Sequence, residues 1–135
     1  MSACNRREGR RHDFAVRLLS GLGRRVVVPW PVYVEVHLVL CARGYARAAL
    51  LFGHALLDGT HALDRPTDGE HLRALEMLDR YETTGLDLAD AVVMAIAEAR
   101  QALILTWDFR HFRAAAPGRR RHWPLLVQEH EMPEP

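Results

Sequence analysis

The sequence of 135 residues contains no lysine, only two cysteines and no apolar run of the roughly 20 residues that a bilayer-spanning helix needs. Cys4 and Cys41 provide neither a disulfide framework nor the paired spacing of a zinc site, so a reducing cytoplasm is the expected location. The eight histidines lack the His-Glu-x-x-His spacing of zinc enzymes. The formal net charge of +1 excludes a strongly basic nucleic-acid coat, and any RNA contact must therefore use local patches.

Several common motifs are also absent. The chain has no Gly-rich phosphate loop and no Gly-x-Ser-x-Gly elbow, which argues against P-loop enzymes and α/β-hydrolases. A receiver-type phosphoacceptor module needs a lysine late in the chain, so this reading ranks last. All 18 basic residues are arginine, which is best explained by genome base composition. Every phosphate contact would then use a planar guanidinium fork.

The sequence does contain helical patterns that alternate with short apolar runs. This order predicts a three-layer α/β/α domain, in which helices cover both faces of a short parallel sheet. The domain is expected to span residues 1–128, with 129–135 as a flexible tail. Helices are predicted at 13–22, 31–43, 45–57, 67–84, 88–100 and 109–116, and strands at 26–28, 61–63, 102–106 and 125–127.

Two of the predicted helices carry clear start signals. Thr67 and Glu70 have the spacing of a capping box, in which each side chain accepts a hydrogen bond from the backbone of the other. Asp87 precedes the helix that begins at Leu88 and is a favoured N-cap residue. We therefore interpret Asp87 mainly as a cap, with metal binding as its secondary role.

Three other carboxylates are candidates for chemistry. Glu35 lies among valines, where an unpaired charge is costly, although an outward-facing position on an amphipathic helix explains it equally well. Asp90 precedes an almost wholly apolar helical stretch, and we expect it to be held near the core. Asp108 follows the predicted strand 102–106, at the sheet edge where ligands bind in parallel sheets, but aspartate is also common in turns.

Arginines flank these acids in two patches that are suited to an RNA backbone, although solvated surface charge explains each of them about as well. Trp123 is placed to stack on a base, but a role in the core is the preferred interpretation. The patches consist of Arg6, Arg7, Arg10 and Arg11 near the start, and Arg110, Arg113, Arg119, Arg120 and Arg121 near the end.

Three segments together resemble the successive motifs of PIN-domain proteins, most closely the VapC-type toxins of toxin–antitoxin pairs. They are residues 28–36 (VPWPVYVEV), 86–91 (LDLADA) and 104–112 (ILTWDFRHF), and their order and spacing are more specific than any one of them. The resemblance implies a Mg²⁺- or Mn²⁺-dependent ribonuclease with an RNA substrate, an antitoxin partner and a homodimeric state. It assigns Glu35, Asp90 and Asp108 to the family's second, third and fourth acidic positions, and Thr106 to a supporting hydroxyl.

The chain departs from the family pattern in one respect. PIN proteins usually open with a central strand that ends in Asp-Thr or Asp-Ser, and residues 2–12 resemble the loop that follows that strand. Without it, a metal ligand is lost and two interior strand edges are left unpaired. Three explanations stay open. Either translation starts upstream, which we favour, or the chain is a degenerate remnant that only binds RNA or protein. The third and weakest explanation is a replacement carboxylate such as Glu8, because Glu8 lies among arginines.

Overall fold

Short strands and five longer helices account for most of the residues that the structure describes. The computed structural model describes residues 14–106, 109–115, 123, 125, 126 and 131. Helix α1 covers residues 14–22. The later elements are strand β1 (Val27–Pro29), helices α2 (Trp30–Ala42) and α3 (Ala46–Asp58), strand β2 (Ala62–Asp64), and helices α4 (Asp68–Arg80), α5 (Leu88–Arg100) and α6 (Phe109–Ala114). No helix in these described ranges is both long and apolar enough to cross a bilayer.

The strand pairing within the described residues is parallel. β1 and β2 pair in parallel, with Val27 opposite Ala62 and Pro29 opposite Asp64. Ile104 makes an isolated parallel bridge with Leu125. The α/β class and the parallel pairing predicted from the sequence are therefore confirmed. The predicted strand 102–106 is wrong in length. Ile104 is the only residue of this segment that has a bridge partner among the described residues.

The caps predicted for α4 and α5 are confirmed. Glu70 N–H donates to Thr67 Oγ1 over 3.1 Å, and Thr67 N–H donates to Glu70 Oε1 over 2.9 Å, which completes the capping box. Asp90 N–H donates to Asp87 Oδ1 over 2.9 Å. The α4 helix stops at Arg80, earlier than the predicted residue 84, and a 3₁₀ turn (Glu82–Thr84) follows it. Such a tighter turn is common where an α-helix ends.

The main core is centred on α5, as its apolar sequence predicts. Its largest described helix contact is with α4, and it also contacts α2 and β1. Trp123 is buried in the same cluster, and its indole N–H donates to the Ala115 carbonyl over 2.8 Å. The preferred core role of Trp123 is thereby confirmed. The buried residues of α5 are Ala89, Ala91, Val92, Met94, Ala95, Ile96 and Ala97.

Ion pairs link α4 and α5, which run antiparallel to each other. The Arg100 guanidinium donates to both carboxylate oxygens of Glu70, at 2.9 and 2.8 Å, and also lies 2.7 Å from Asp64 Oδ2 at the end of β2. Arg73, one turn along α4, donates to Glu98 over 3.1 Å. Glu70 is only 6% exposed, and the hydrogen bonds from Arg100 lower its pKa to about 2. We call Arg100, Glu70 and Asp64 the clamp.

The clamp generates a prediction about pH. Because the pKa of Glu70 is lower in the folded chain than its usual value of about 4.5, its stabilising effect is complete above that value and is lost as the pH falls toward 2. Glu70→Gln keeps an oxygen for the Thr67 cap but removes the charge. We expect it to lower the free energy of unfolding by about 1–2 kcal/mol at pH 7, discounted because Arg100 is about one-third exposed.

Urea unfolding of both proteins between pH 7 and pH 3 measures this effect, and the difference between them should shrink toward pH 3. Glu76→Gln is the matched control, since Glu76 pairs with Arg73 on the exposed side of α4. A difference that stayed constant with pH, or an equal effect of the control, would contradict the role of the clamp.

Candidate functional site

Asp90 lies in the first turn of α5 and is half-buried. Residues Ala89 and Ala91 on either side of it are buried, so Asp90 lies in a part of the chain that packs on the core. Its backbone N–H is held by Asp87, which fixes the turn that carries it. A carboxylate in the first turn of a helix is also favoured by the helix dipole.

Asp87 is exposed and its side chain is occupied as the N-cap of α5. The interpretation as a cap is therefore confirmed. A carboxylate has more than one lone pair to offer, so the hydrogen bond does not by itself exclude a metal contact. The described contacts give Asp87 a structural role next to Asp90.

Thr106 is half-buried and follows the segment that leaves the carboxyl end of α5. The chain reverses at Gln101, which adopts a left-handed conformation (φ 52°, ψ 41°), and Ala102 N–H donates to the Ala97 carbonyl. Residues 102–105 then line one groove together with Val93 and Ala97, so the segment lies beside α5. Asp108 is two residues beyond Thr106 and lies outside the described residues.

Glu35 lies in the second turn of α2 and is exposed. α2 contacts α5 and β1, so Glu35 is carried by an element that packs directly on the helix of Asp90. α2 has apolar residues around most of its circumference and no fully buried residue among its 13. Such a helix has no strongly preferred face, which is why the sequence pattern left the orientation of Glu35 open.

The donor chemistry of these residues fits a hard divalent cation. Carboxylate and hydroxyl oxygens are the ligands that Mg²⁺ accepts, usually with only one or two carboxylates bound directly and water completing the shell. Within residues 14–106 and the other described positions, no three acidic, histidine or cysteine side chains are grouped closely enough to hold a metal. Glu35, Asp90 and Asp87 therefore do not form a three-acid site by themselves.

The structure also shows features that the sequence reasoning missed. The clamp residues Asp64 and Arg100 were not singled out, because partners that are 36 residues apart leave no local pattern. Trp30 and Arg65 lie at the carboxyl ends of β1 and β2, and the Arg65 guanidinium stands 5.7 Å from the Trp30 ring. Trp30 is 41% exposed, so this pair presents an aromatic face and a cation to solvent.

The cap at Asp87 can be tested separately from any chemistry. Asp87→Ala removes the acceptor for the Asp90 N–H and should lower the free energy of unfolding by about 1 kcal/mol. Asp87→Ser keeps a capping oxygen and should be nearly neutral. Thermal and urea unfolding measure both variants. Equal stability of the Ala and Ser variants would show that the observed hydrogen bond contributes little.

A comparison with known protein families gives one match. The family model of the PIN domain matches residues 3–117, a range that includes Glu35, Asp90, Thr106 and Asp108. No curated protein matches the chain. PIN domains are generally nucleases that use divalent metal ions. The match covers most of the 135 residues, and the chain belongs to the PIN-domain family.

Proposed function

We propose that this chain is a Mg²⁺- or Mn²⁺-dependent endoribonuclease in which Asp90, Glu35 and Asp108 hold the metal and Thr106 supports the site. The observation that carries the proposal is the position of Asp90: it is half-buried in the capped first turn of the core helix α5, and α2, which carries Glu35, packs on this helix. A carboxylate fixed in this way is preorganised to bind a cation.

The roles of the chain's own groups follow from their positions. Asp90 is the central ligand, because its turn is fixed by the Asp87 cap and by buried neighbours. Glu35 stands on α2 and is exposed enough to orient a water molecule or to bind the metal through one. A bound Mg²⁺ or Mn²⁺ supplies an activated water for in-line attack and neutralises charge on the leaving oxygen.

Contacts to RNA are supported by residues around the acids. Arg110 and Arg113 are exposed on α6, immediately after Asp108 in the sequence, and can neutralise phosphates. At the sheet edge, the Trp30 ring offers a stacking surface of the kind that single-stranded RNA uses, with Arg65 beside it. The three arginines provide local positive charge in a chain whose net charge is only +1.

The substitution Asp90→Asn in the full chain tests the proposal. The matched control is Asp79→Asn, at the exposed end of α4. The original chain and the control should melt at a higher temperature with Mn²⁺ and should cleave a fluorescently labelled RNA only when metal is present. The Asp90 variant should lose the Mn²⁺ shift and at least 100-fold in cleavage rate, while its metal-free melting temperature stays close to that of the original chain.

A second candidate function has specific support. The exposed Trp30 ring with Arg65 beside it offers an RNA-binding surface that needs no metal, so the alternative is a chain that binds RNA or protein without cutting. In that case RNA binding should persist without any metal-dependent melting shift or cleavage, and Asp90→Asn should change nothing. If metal-dependent cleavage survives Asp90→Asn, the assignment of Asp90 to the site is wrong, but the proposed reaction is not.

We further propose that the chain is the toxin of a VapBC-like pair, that it forms a homodimer and that an antitoxin binds it. Exposed apolar side chains on and beside α2 and α3 support a protein partner, because exposed apolar surface of this kind marks interaction sites. Leu57 is 81% exposed, more than any other large apolar residue described. The set consists of Val34, Leu38, Val39, Tyr45, Leu50, Leu51 and Leu57.

Sedimentation equilibrium tests the homodimer. The double substitution of Leu38 and Leu57 by glutamate should weaken dimerisation at least tenfold, since two charges would be desolvated at the interface. Leu72→Glu, on an exposed part of α4, should leave the association unchanged. A chain that is monomeric at all concentrations, or a control that dissociates equally, would contradict this interface.

A further inference from the structure

Trp30 and Arg65 stand side by side where β1 and β2 leave the sheet. Pro29 pairs with Asp64 in the parallel register, so the next residue of each strand emerges at the same edge. The Arg65 guanidinium lies 5.7 Å from the centre of the Trp30 ring. Neither side chain lines the groove beside residues 102–105, so the pair belongs to a separate part of the surface.

The indole of Trp30 is held in place although 41% of the residue is exposed. Pro29 before it is buried and Pro31 follows it, and proline limits the backbone freedom of the segment. The Tyr33 ring packs edge-on against the indole, with the ring centres 5.4 Å apart. Tyr33 itself has little room to move, because a Cβ added at Gly53 would lie 2.6 Å from its hydroxyl. The indole is therefore a fixed aromatic surface.

The backbone of Arg65 is fixed on both sides, while its side chain is exposed. Asp64 before it is held by Arg100 in the clamp, and Thr67 two residues later is the N-cap of α4. Pro66 between them restricts the backbone of Arg65 as well as its own. Among the described residues, no carboxylate or carbonyl accepts a hydrogen bond from the Arg65 guanidinium, whose one contact there is with the indole. Its N–H groups are thus available to a ligand.

A fixed indole beside an available guanidinium matches the two halves of a nucleotide. A base stacks on an aromatic ring, and the planar guanidinium fork binds a phosphate through two N–H groups. An exposed cation–π contact is weaker than a base–aromatic stack, so a base can displace the guanidinium from the ring. The displaced guanidinium then turns to the phosphate. Because the indole has two fused rings, it overlaps more with a purine than with a pyrimidine.

We propose that Trp30 and Arg65 form a subsite for one unpaired purine nucleotide of the RNA, with the base on Trp30 and the phosphate on Arg65. Glu35 lies five residues further along α2, which is about 7.5 Å along the helix axis. The subsite therefore binds RNA near an acid of the proposed nuclease without taking part in its chemistry. It presupposes the RNA substrate of the proposed function, but its contacts need neither a metal nor cleavage.

Nuclear magnetic resonance of the full chain with adenosine 5′-monophosphate in EDTA tests the subsite directly. At about 10 mM nucleotide, the indole N–H signal of Trp30 and the guanidinium Nε–H signal of Arg65 should shift. The variants Trp30→Phe and Arg65→Lys assign the two signals by their loss. Uridine 5′-monophosphate should shift the indole signal less, and ribose 5-phosphate, which has no base, should leave it in place. An unmoved indole signal, or an equal shift with either of these two compounds, overturns the proposal.

Variants at Trp30 test the stacked base with RNA. In EDTA, where no metal-dependent cleavage occurs, the fluorescence anisotropy of labelled octaadenylate measures binding to the full chain. Trp30→Leu should weaken binding at least tenfold, whereas the matched control Trp30→Phe, which keeps a ring, should stay within about threefold of the original chain. Equal binding by all three chains, or an equal loss with phenylalanine, overturns the proposal. If Trp30→Leu does not fold, the indole shift with the nucleotide decides.

A substitution of Arg65 tests the bound phosphate in the same assay. Arg65→Gln should weaken octaadenylate binding several-fold and should lower the slope of log K against log salt by roughly 1, since one phosphate contact is lost. Arg80→Gln is the matched control and should bind like the original chain. Arg80 also lies over an aromatic ring, 5.5 Å from the centre of Tyr81, but that ring packs against the core.

Two outcomes of these binding measurements contradict the subsite. Equal effects of Arg65→Gln and Arg80→Gln would show that any surface arginine serves. Adenosine 5′-monophosphate that binds as tightly as octaadenylate would indicate a site for free nucleotides rather than for RNA. Neither outcome depends on cleavage, so a failure of the proposed nuclease activity leaves the subsite standing, and a failure of the subsite leaves the nuclease standing.

Discussion

The burial of helix α5 is the constraint on which the other elements depend. Seven of its 13 side chains are buried, so it needs cover from several directions at once. α4, α2 and β1 provide that cover, and the clamp holds α4 in register against it. The end of α5 opposite the clamp carries Asp87 and Asp90. The proposed site therefore inherits its rigidity from the packing of this helix.

Features that depend on nearby residues could be predicted from the sequence. The capping box at Thr67, the cap at Asp87 and the buried character of α5 each follow from residues within a few positions of one another. Their physical causes are local hydrogen bonds and helical periodicity. The family motifs added the order of these elements, and the PIN-domain match agrees with that order.

Features that depend on distant residues could not be predicted. Arg100 and Glu70 are 30 residues apart, and each has an ordinary local explanation: a basic residue at a helix end and the acid of a capping box. The length of the strand at Ile104 depends on which segments lie beside it, and the propensities of nearby residues do not indicate those neighbours. Glu35 is the clearest case, since the apolar residues of α2 surround it without indicating which face is covered.

The family membership and the geometry support different parts of the function. The PIN-domain match supports a nuclease that uses a divalent metal. The structure adds that two of the carboxylates stand on separate helices that pack together, Glu35 on α2 and Asp90 on α5. A site built from two packed helices depends on how those helices pack. Substitutions that loosen the core should therefore also lower the affinity of the proposed site for its metal.

The antiparallel pairing of α4 and α5 also has a consequence for the folding pathway. These two helices are joined by residues 81–87 alone, so they meet at a small cost in loop-closure entropy. The pairing of β1 with β2 must instead close a segment that contains two complete helices. Chains form sequence-local contacts faster than distant ones. We therefore expect the α4–α5 hairpin to be the folding nucleus, with the turn of Asp90 in place before the strands pair.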